Sequence, residues 1–221
     1  MGTATPTTRA GAVYEQIRDE ILRGALQPGQ RLRFADLTGR YAVSQSVVRE
    51  ALTRLAEQGL AVALPQQGFR VVTLSLRDLD DLTETRREIE SLTFRLAVRR
   101  GDVHWESAVV AAHHVLASTA ATTADGAANA DWFDTHERFH QALLAGCGND
   151  RLLDVALSLR DAAALYRHWS GHHDPARDVA AEHRAILDAA LARDADLAAR
   201  LLSDHIDRTS AALRPVADGH P

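Results

Sequence analysis

The chain has 221 residues, 46% of them hydrophobic, and a formal net charge of −5. That length accommodates two compact units, and the sequence has neither an apolar run long enough to cross a bilayer nor a charged-then-apolar leader, which predicts a cytoplasmic protein without a membrane span. The single Cys147 excludes an intrachain disulfide framework and, between Gly146 and Gly148, reads as a small residue at a helix-to-loop corner.

Charge is unevenly distributed. Residues 9–77 carry ten Arg against six Asp and Glu, a balance of +4, and the rest of the chain carries −9. The overall acidity therefore hides a basic N-terminal module, and attraction to DNA requires only that local surface to be positive.

In chain order, Val13, Ile17, Ile21 and Leu22 fall on one face of a first helix, which the segment from Gly24 to Gly29 ends with turn chemistry. A short helix over 34–41 follows. Ser44 then stands where an N-cap belongs, before a helix predicted over 45–58 that Gly59 stops. Val48, Ala51, Leu52 and Leu55 form its apolar face, and Gln45, Ser46, Arg49 and Thr53 its polar face, with side chains able to reach base edges or phosphates. Two strand-like runs, 61–64 and 69–73, flank a hairpin tip at 65–68. Three helices and a hairpin make a winged helix over 9–73 that reads DNA.

After a short connection at 74–77, the pattern from 78 to 214 is helical, an all-α bundle in a mainly α chain. Leu79, Leu82, Ile89, Leu92, Leu96 and Ala97 predict one long helix, and Val109, Val110, Val115 and Leu116 a second. A polar stretch at 117–130 reads as a helix end and a loop. Further helices are predicted around 130–145, 149–169, 177–193 and 194–213, with Asn149 and Asp194 as N-caps or turn residues.

The chemistry of the bundle lies in its histidines. His136 and His140, four residues apart, project from one side of a helix and can hold one ion, and His183 and His205 each sit on a helix of their own. The segment His136-Glu137-Arg138-Phe139-His140 also satisfies the His-Glu-x-x-His spacing of a zinc hydrolase helix, in which Glu137 would act through a metal-bound water. Two more histidines that fill the coordination sphere, and a winged helix alongside, weigh against that alternative.

Gly29-Gln30-Arg31-Leu32, Asp36-Leu37, Val43-Ser44, Val48-Arg49-Glu50-Ala51-Leu52, Leu55, Gly59-Leu60 and Gly68-Phe69 resemble the DNA-binding domain of the GntR family of bacterial transcription regulators. The resemblance implies that Arg49 contacts DNA, that Ser44, Gln45 and Ser46 lie at the groove, and that Gly68 approaches the minor groove. Arg33, Arg54 and Gln67 complete the DNA-binding candidates. Where family members commonly carry Arg, this chain has Gln45, which favours adenine over guanine and implies a different half-site.

Phe139-His140, Leu143, Gly148-Asn149, Glu182-His183, Ile186-Leu187, Asp194-Ala195 and His205-Ile206 in turn resemble the FCD ligand-binding domain of the FadR-type subfamily. In its metal-binding members an Asp and three His hold a divalent ion below the effector. His140, His183 and His205 match the three histidines, and His136 stands at the position of the Asp. This departure implies either a four-His site, suited to zinc or nickel, or a three-His site with His136 facing the effector. Arg86 matches an Arg near the pocket and would bind a small carboxylate; alternatively it is a solvated partner of Glu90. Arg138, His168, Trp169, His172 and His173 are further candidates for the pocket lining. Together these features imply an effector-responsive repressor or activator, a homodimer on a palindromic operator, with no enzymatic role.

Overall fold

The structure is a computed structural model that describes residues 8–73, 75–125, 129–170 and 177–217, without the side chains of 168–170 and 215–217. The chain divides into two compact units, at Leu74.

The N-terminal unit consists of α1 (Arg9–Leu22), β1 (Arg31–Leu32), α2 (Phe34–Tyr41), α3 (Gln45–Glu57), β2 (Ala61–Leu64) and β3 (Gly68–Val71). Ile17 and Ile21 of α1 and Val48, Leu52 and Leu55 of α3 are fully buried, so the two apolar stripes seen in the sequence face each other. Thr8 caps α1, its Oγ1 accepting from Gly11 N at 3.0 Å. The sheet has the order β1-β3-β2, antiparallel throughout, with Leu32 and Ala63 both opposite Phe69. Strand β1 was not predicted: two residues are too short for an alternation, and the pairing to β3 is made only in the fold. The turn from β2 to β3 places Gln66 at φ +60° and Gly68 at φ +83°, a backbone region that glycine enters without steric cost.

Ser44 holds the cap position of α3 without making a capping hydrogen bond. Its hydroxyl instead pairs with the Ser46 hydroxyl at 2.9 Å, which corrects the expectation that it satisfies a helix N–H. Two helical residues, Leu76 and Arg77, replace the end of the expected connection. The reason is Ser75, whose Oγ accepts from Asp78 N at 3.1 Å and starts the helix there.

The second unit is all helical: α4 (Leu76–Arg100), α5 (Val103–Ser118), α6 (Ala130–Ala145), α7 (Asp150–Ser170), α8 (Val179–Leu191) and α9 (Ala195–Ala217). Helix α4 lies against α7 and α9, and α5 against α6 and α8. Asn149 and Asp194 accept from Leu152 N and Leu197 N, as their cap roles require. Phe94, Phe139, Leu143, Leu144, Ile186 and Leu202 centre the core.

Trp105 fills one end of this core. Its indole donates to Ala142 O at 2.9 Å, and Gly101 and Gly146 admit its ring. A methyl group on Gly101 would lie 2.3 Å from the indole. Gly101→Ala is therefore expected to cost about 1–3 kcal/mol of stability through overpacking, read as a lower urea midpoint with an unchanged slope. Wild-type stability in this variant would show that the indole can move aside.

The buried face of α4 differs from its apolar pattern. Leu92 is exposed, and the buried stripe is Leu79, Arg86, Glu90, Thr93, Phe94 and Ala97. Two charged residues turn inward because partners on α6 and α7 meet them there.

Candidate metal centre and DNA-reading surface

Helix α6 delivers His136 and His140 one turn apart, α8 delivers His183, and α9 delivers His205. All four are buried, and one ring nitrogen from each lies within 4.8 Å of the others. His140 Nε2 and His183 Nε2 are 3.3 Å apart. Two nitrogens bound tetrahedrally to one ion at about 2.0–2.1 Å are separated by about 3.3–3.4 Å, so this spacing fits a shared metal ion. His140 Nδ1 is sealed from solvent without a hydrogen-bond partner, which leaves Nε2 as the atom through which this residue interacts.

Burial pushes His136, His140 and His183 well below the usual histidine range and His205 down to about 4. Four neutral imidazoles offer lone pairs, the state that ligates. The cluster has an outer layer. His205 Nδ1 lies 2.8 Å from Glu182 Oε2, and Arg177 chelates the same carboxylate. A proton at Nδ1 donated to Glu182 leaves the Nε2 lone pair for an ion. On the other side, Trp132 stacks on His136 with centroids 4.8 Å apart.

Beside the imidazoles lies a buried charge network. Arg160, on α7, donates to Glu90 at 2.9 Å and forks onto Glu137 at 2.8 and 3.0 Å; Arg167 reaches Glu137 at 3.0 Å and Arg86 Nε reaches Glu90 at 2.6 Å. Burial alone would raise both carboxyls, but Arg86 and Arg160 hold Glu90 low, and Arg160 and Arg167 hold Glu137 at about 2. Burial lowers Arg167 to about 10. Among the described residues, Arg86, Arg160 and Arg167 thus surround the Glu90 and Glu137 carboxylates. Arg86 is buried in this network rather than solvated, and among the described residues no hydrogen bond engages its two terminal nitrogens.

The network also bears on the hydrolase alternative. Both Glu137 oxygens are occupied by guanidiniums, so the residue is an ion-pair partner and is not free to act as a general base. Of the other expected pocket residues, His172 and His173 lie outside the described residues, as do the side chains of His168 and Trp169; Arg138 is exposed on α6.

In the winged unit, Gln45, Ser46 and Arg49 are exposed along the start of α3, and Arg33 is exposed at the cap position of α2. The Arg49 guanidinium lies 4.7 Å from the Phe34 ring centroid, and Arg49 shares a cleft with Pro65, Gln66 and Gly68 of the hairpin tip. Gln67, at that tip, is exposed, and its carbonyl accepts from Arg31 Nε and Nη2 at 3.2 and 3.0 Å. Arg31 was missed because an exposed Arg carries no pattern. Arg54 is half-buried, its guanidinium 4.2 Å from the Tyr14 ring centroid at the far end of α3. That packing, rather than exposure beside Arg49, is what the fold gives it.

A winged helix with an exposed reading helix, joined to a helical unit that encloses an imidazole cluster, has the build of a ligand-responsive transcription regulator. Residues 9–71 match the gntR family of bacterial regulatory proteins, and residues 81–208 match the FCD domain. The chain belongs to the GntR family, and within it to the regulators with an FCD domain. It is 34% identical to the HTH-type transcriptional repressor GlaR of Escherichia coli (strain K12), over 87% of this chain and 90% of GlaR. It is 35% identical to the uncharacterized HTH-type transcriptional regulator BphR of Paraburkholderia xenovorans (strain LB400), over 92% of this chain and 84% of that protein. Among solved structures, a GntR transcriptional regulator from Rhodococcus sp. RHA1 superposes with a TM-score of 0.73 at 25% identity, covering 93% of this chain and 97% of that one. E. coli McbR/YncC superposes with a TM-score of 0.77 at 20% identity and the same coverage, a likeness of fold alone. The protein is a DNA-binding transcription regulator and not an enzyme. No helix among the described residues is long and apolar enough to cross a membrane.

Proposed function

We propose that the helical unit binds one divalent ion, zinc or nickel, through His136, His140, His183 and His205, and takes a small carboxylate effector beside it that controls operator binding. The observation that carries this reading is the convergence of four neutral imidazoles beside a buried guanidinium, Arg86, whose terminal nitrogens make no hydrogen bond among the described residues. The imidazoles would hold the ion, which supplies a Lewis-acid anchor for a carboxylate oxygen. The terminal nitrogens of Arg86 are the donors available to an anion there. Operator release from zinc-loaded protein on adding small carboxylates, with no release by the matching amides, is the expected result. Equal effects of acid and amide would overturn the carboxylate assignment.

For the winged unit, we infer that Arg49, Gln45 and Ser46 enter the major groove with Ser44 and Arg33 at its edge, that Gln67 and Gly68 at the wing tip approach the minor groove, and that two copies of the chain read a palindromic site. Arg54 contributes by holding α3 on Tyr14. Arg49→Ala is expected to weaken binding to a duplex selected from a random pool by about 1–3 kcal/mol. If the loss falls on one base position, Arg49 reads a base; a uniform loss with a shallower salt slope assigns it to phosphate. Unchanged affinity would remove Arg49 from the interface.

A further inference from the structure

Arg49 is exposed on α3 and makes no hydrogen bond or ion pair with any described residue. What holds it is an aromatic ring. Phe34, the first residue of α2, lies with its face toward the guanidinium, 4.7 Å from Cζ to the ring centroid. That ring is itself fixed, because it packs edge-on against Phe69 of β3 with centroids 6.1 Å apart, and Phe69 is buried. Phe34 and Arg49 together line the cleft that ends at Pro65, Gln66 and Gly68 of the hairpin tip. One half-buried side chain of α2 therefore meets both the polar face of α3 and the wing.

An Arg reaches a base edge or a phosphate through its N–H groups, and holding its long side chain in one place costs rotamer freedom. A ring face attracts the cation through its quadrupole and takes up none of the five N–H donors in a conventional hydrogen bond. Arg31 shows the alternative: the carbonyl of Gln67 occupies its Nε and Nη2. Arg49 is instead placed in advance with its donors free, and a duplex that covers the cleft and expels water strengthens the attraction to the ring. An aliphatic residue at position 34 would fill the space beside Phe69 without attracting the guanidinium.

We propose that Phe34 is a positioning residue for DNA reading: its ring holds the Arg49 guanidinium at the groove and, through Phe69, ties that placement to the wing. The inference rests on the reading of Arg49 given above and adds the residue through which Arg49 is oriented.

The test is duplex binding by the full chain, read as fluorescence anisotropy on a sequence that the wild-type protein selects from a random pool, with each single-base change of it measured in parallel. Phe34→Leu is expected to weaken binding about fivefold, the scale of a cation–π contact, with the same profile across base changes as Arg49→Ala. Phe34→Tyr, which keeps the ring, stays within about twofold of wild type. In the Arg49→Ala background, Phe34→Leu adds less than about twofold, because the ring has nothing left to place. A loss through disturbed packing would persist in that background. Equal losses in the two backgrounds therefore overturn the proposal, as does wild-type affinity for Phe34→Leu. Thermal unfolding accompanies each variant, and if Phe34→Leu does not fold, Phe34→Met takes its place in the same cycle. Wild-type affinity for Arg49→Ala overturns the reading of Arg49 and this inference together, whereas an Arg49→Ala loss without coupling to Phe34 overturns this inference alone.

Discussion

Glu90→Gln is expected to destabilise the helical unit by about 3–5 kcal/mol, the scale on which breaking a buried ion pair acts. The carboxylate is fully buried and accepts from two guanidiniums, Arg86 at 2.6 Å and Arg160 at 2.9 Å. Neutralising it removes the charge that both guanidiniums face and leaves Arg86 without its carboxylate. Arg160→Met instead leaves each carboxylate a guanidinium, Arg86 for Glu90 and Arg167 for Glu137, and fills much of the volume with an apolar chain. Its expected cost is smaller than that of Glu90→Gln, although Arg160 makes three hydrogen bonds and Glu90 accepts two. Urea unfolding of both variants decides between the two accounts. A larger loss for Arg160→Met would mean that hydrogen bonds lost, and not net buried charge, set the stability of this network.

The network explains where a reading of the sequence stops. The winged helix was legible because its apolar faces follow one period and its turns carry glycine at positive φ, so α1, α3 and the hairpin could be placed before the fold was known. His136 and His140 were legible by their spacing on one helix; that His183 and His205 join them followed from family resemblance, since periodicity says nothing about which helices meet. The buried charges were not legible for a physical reason. Arg86, Glu90, Glu137, Arg160 and Arg167 interrupt apolar stripes, and each alone would be pushed to the surface by desolvation. Only together, from α4, α6 and α7, do they become buriable, which is why α4 turns Glu90 inward and leaves Leu92 exposed.

Zinc loading is expected to stabilise the protein strongly, and chelation to reverse it. An ion that binds only the folded chain adds about 4 kcal/mol when its free concentration is a thousand times the dissociation constant. The histidines give the metal-free protein a matching weakness to acid. Their folded values lie below the ordinary histidine value of 6.5, so the unfolded chain binds more protons; stability is retained above pH 6.5 and lost as pH falls from there toward the folded value, about 4 for His205. That displacement corresponds to about 3 kcal/mol from His205 alone. Glu182 and Arg177 do not share this window, because the carboxyl stays ionised throughout it, held low by Arg177 and His205 against the effect of burial. Replacing His140 and His183 with Ala removes two of the four ligands, and the double variant is expected to carry no stoichiometric zinc, to gain nothing from added zinc, and to lose less stability than metal-free wild type between pH 6.5 and 4. Thermal unfolding across that range, paired with elemental analysis, reads all three. A double variant that still holds one zinc per chain would move the ion away from the imidazole cluster, and an acid slope unchanged by the substitutions would show that the two imidazoles are not what makes the empty protein sensitive to protons.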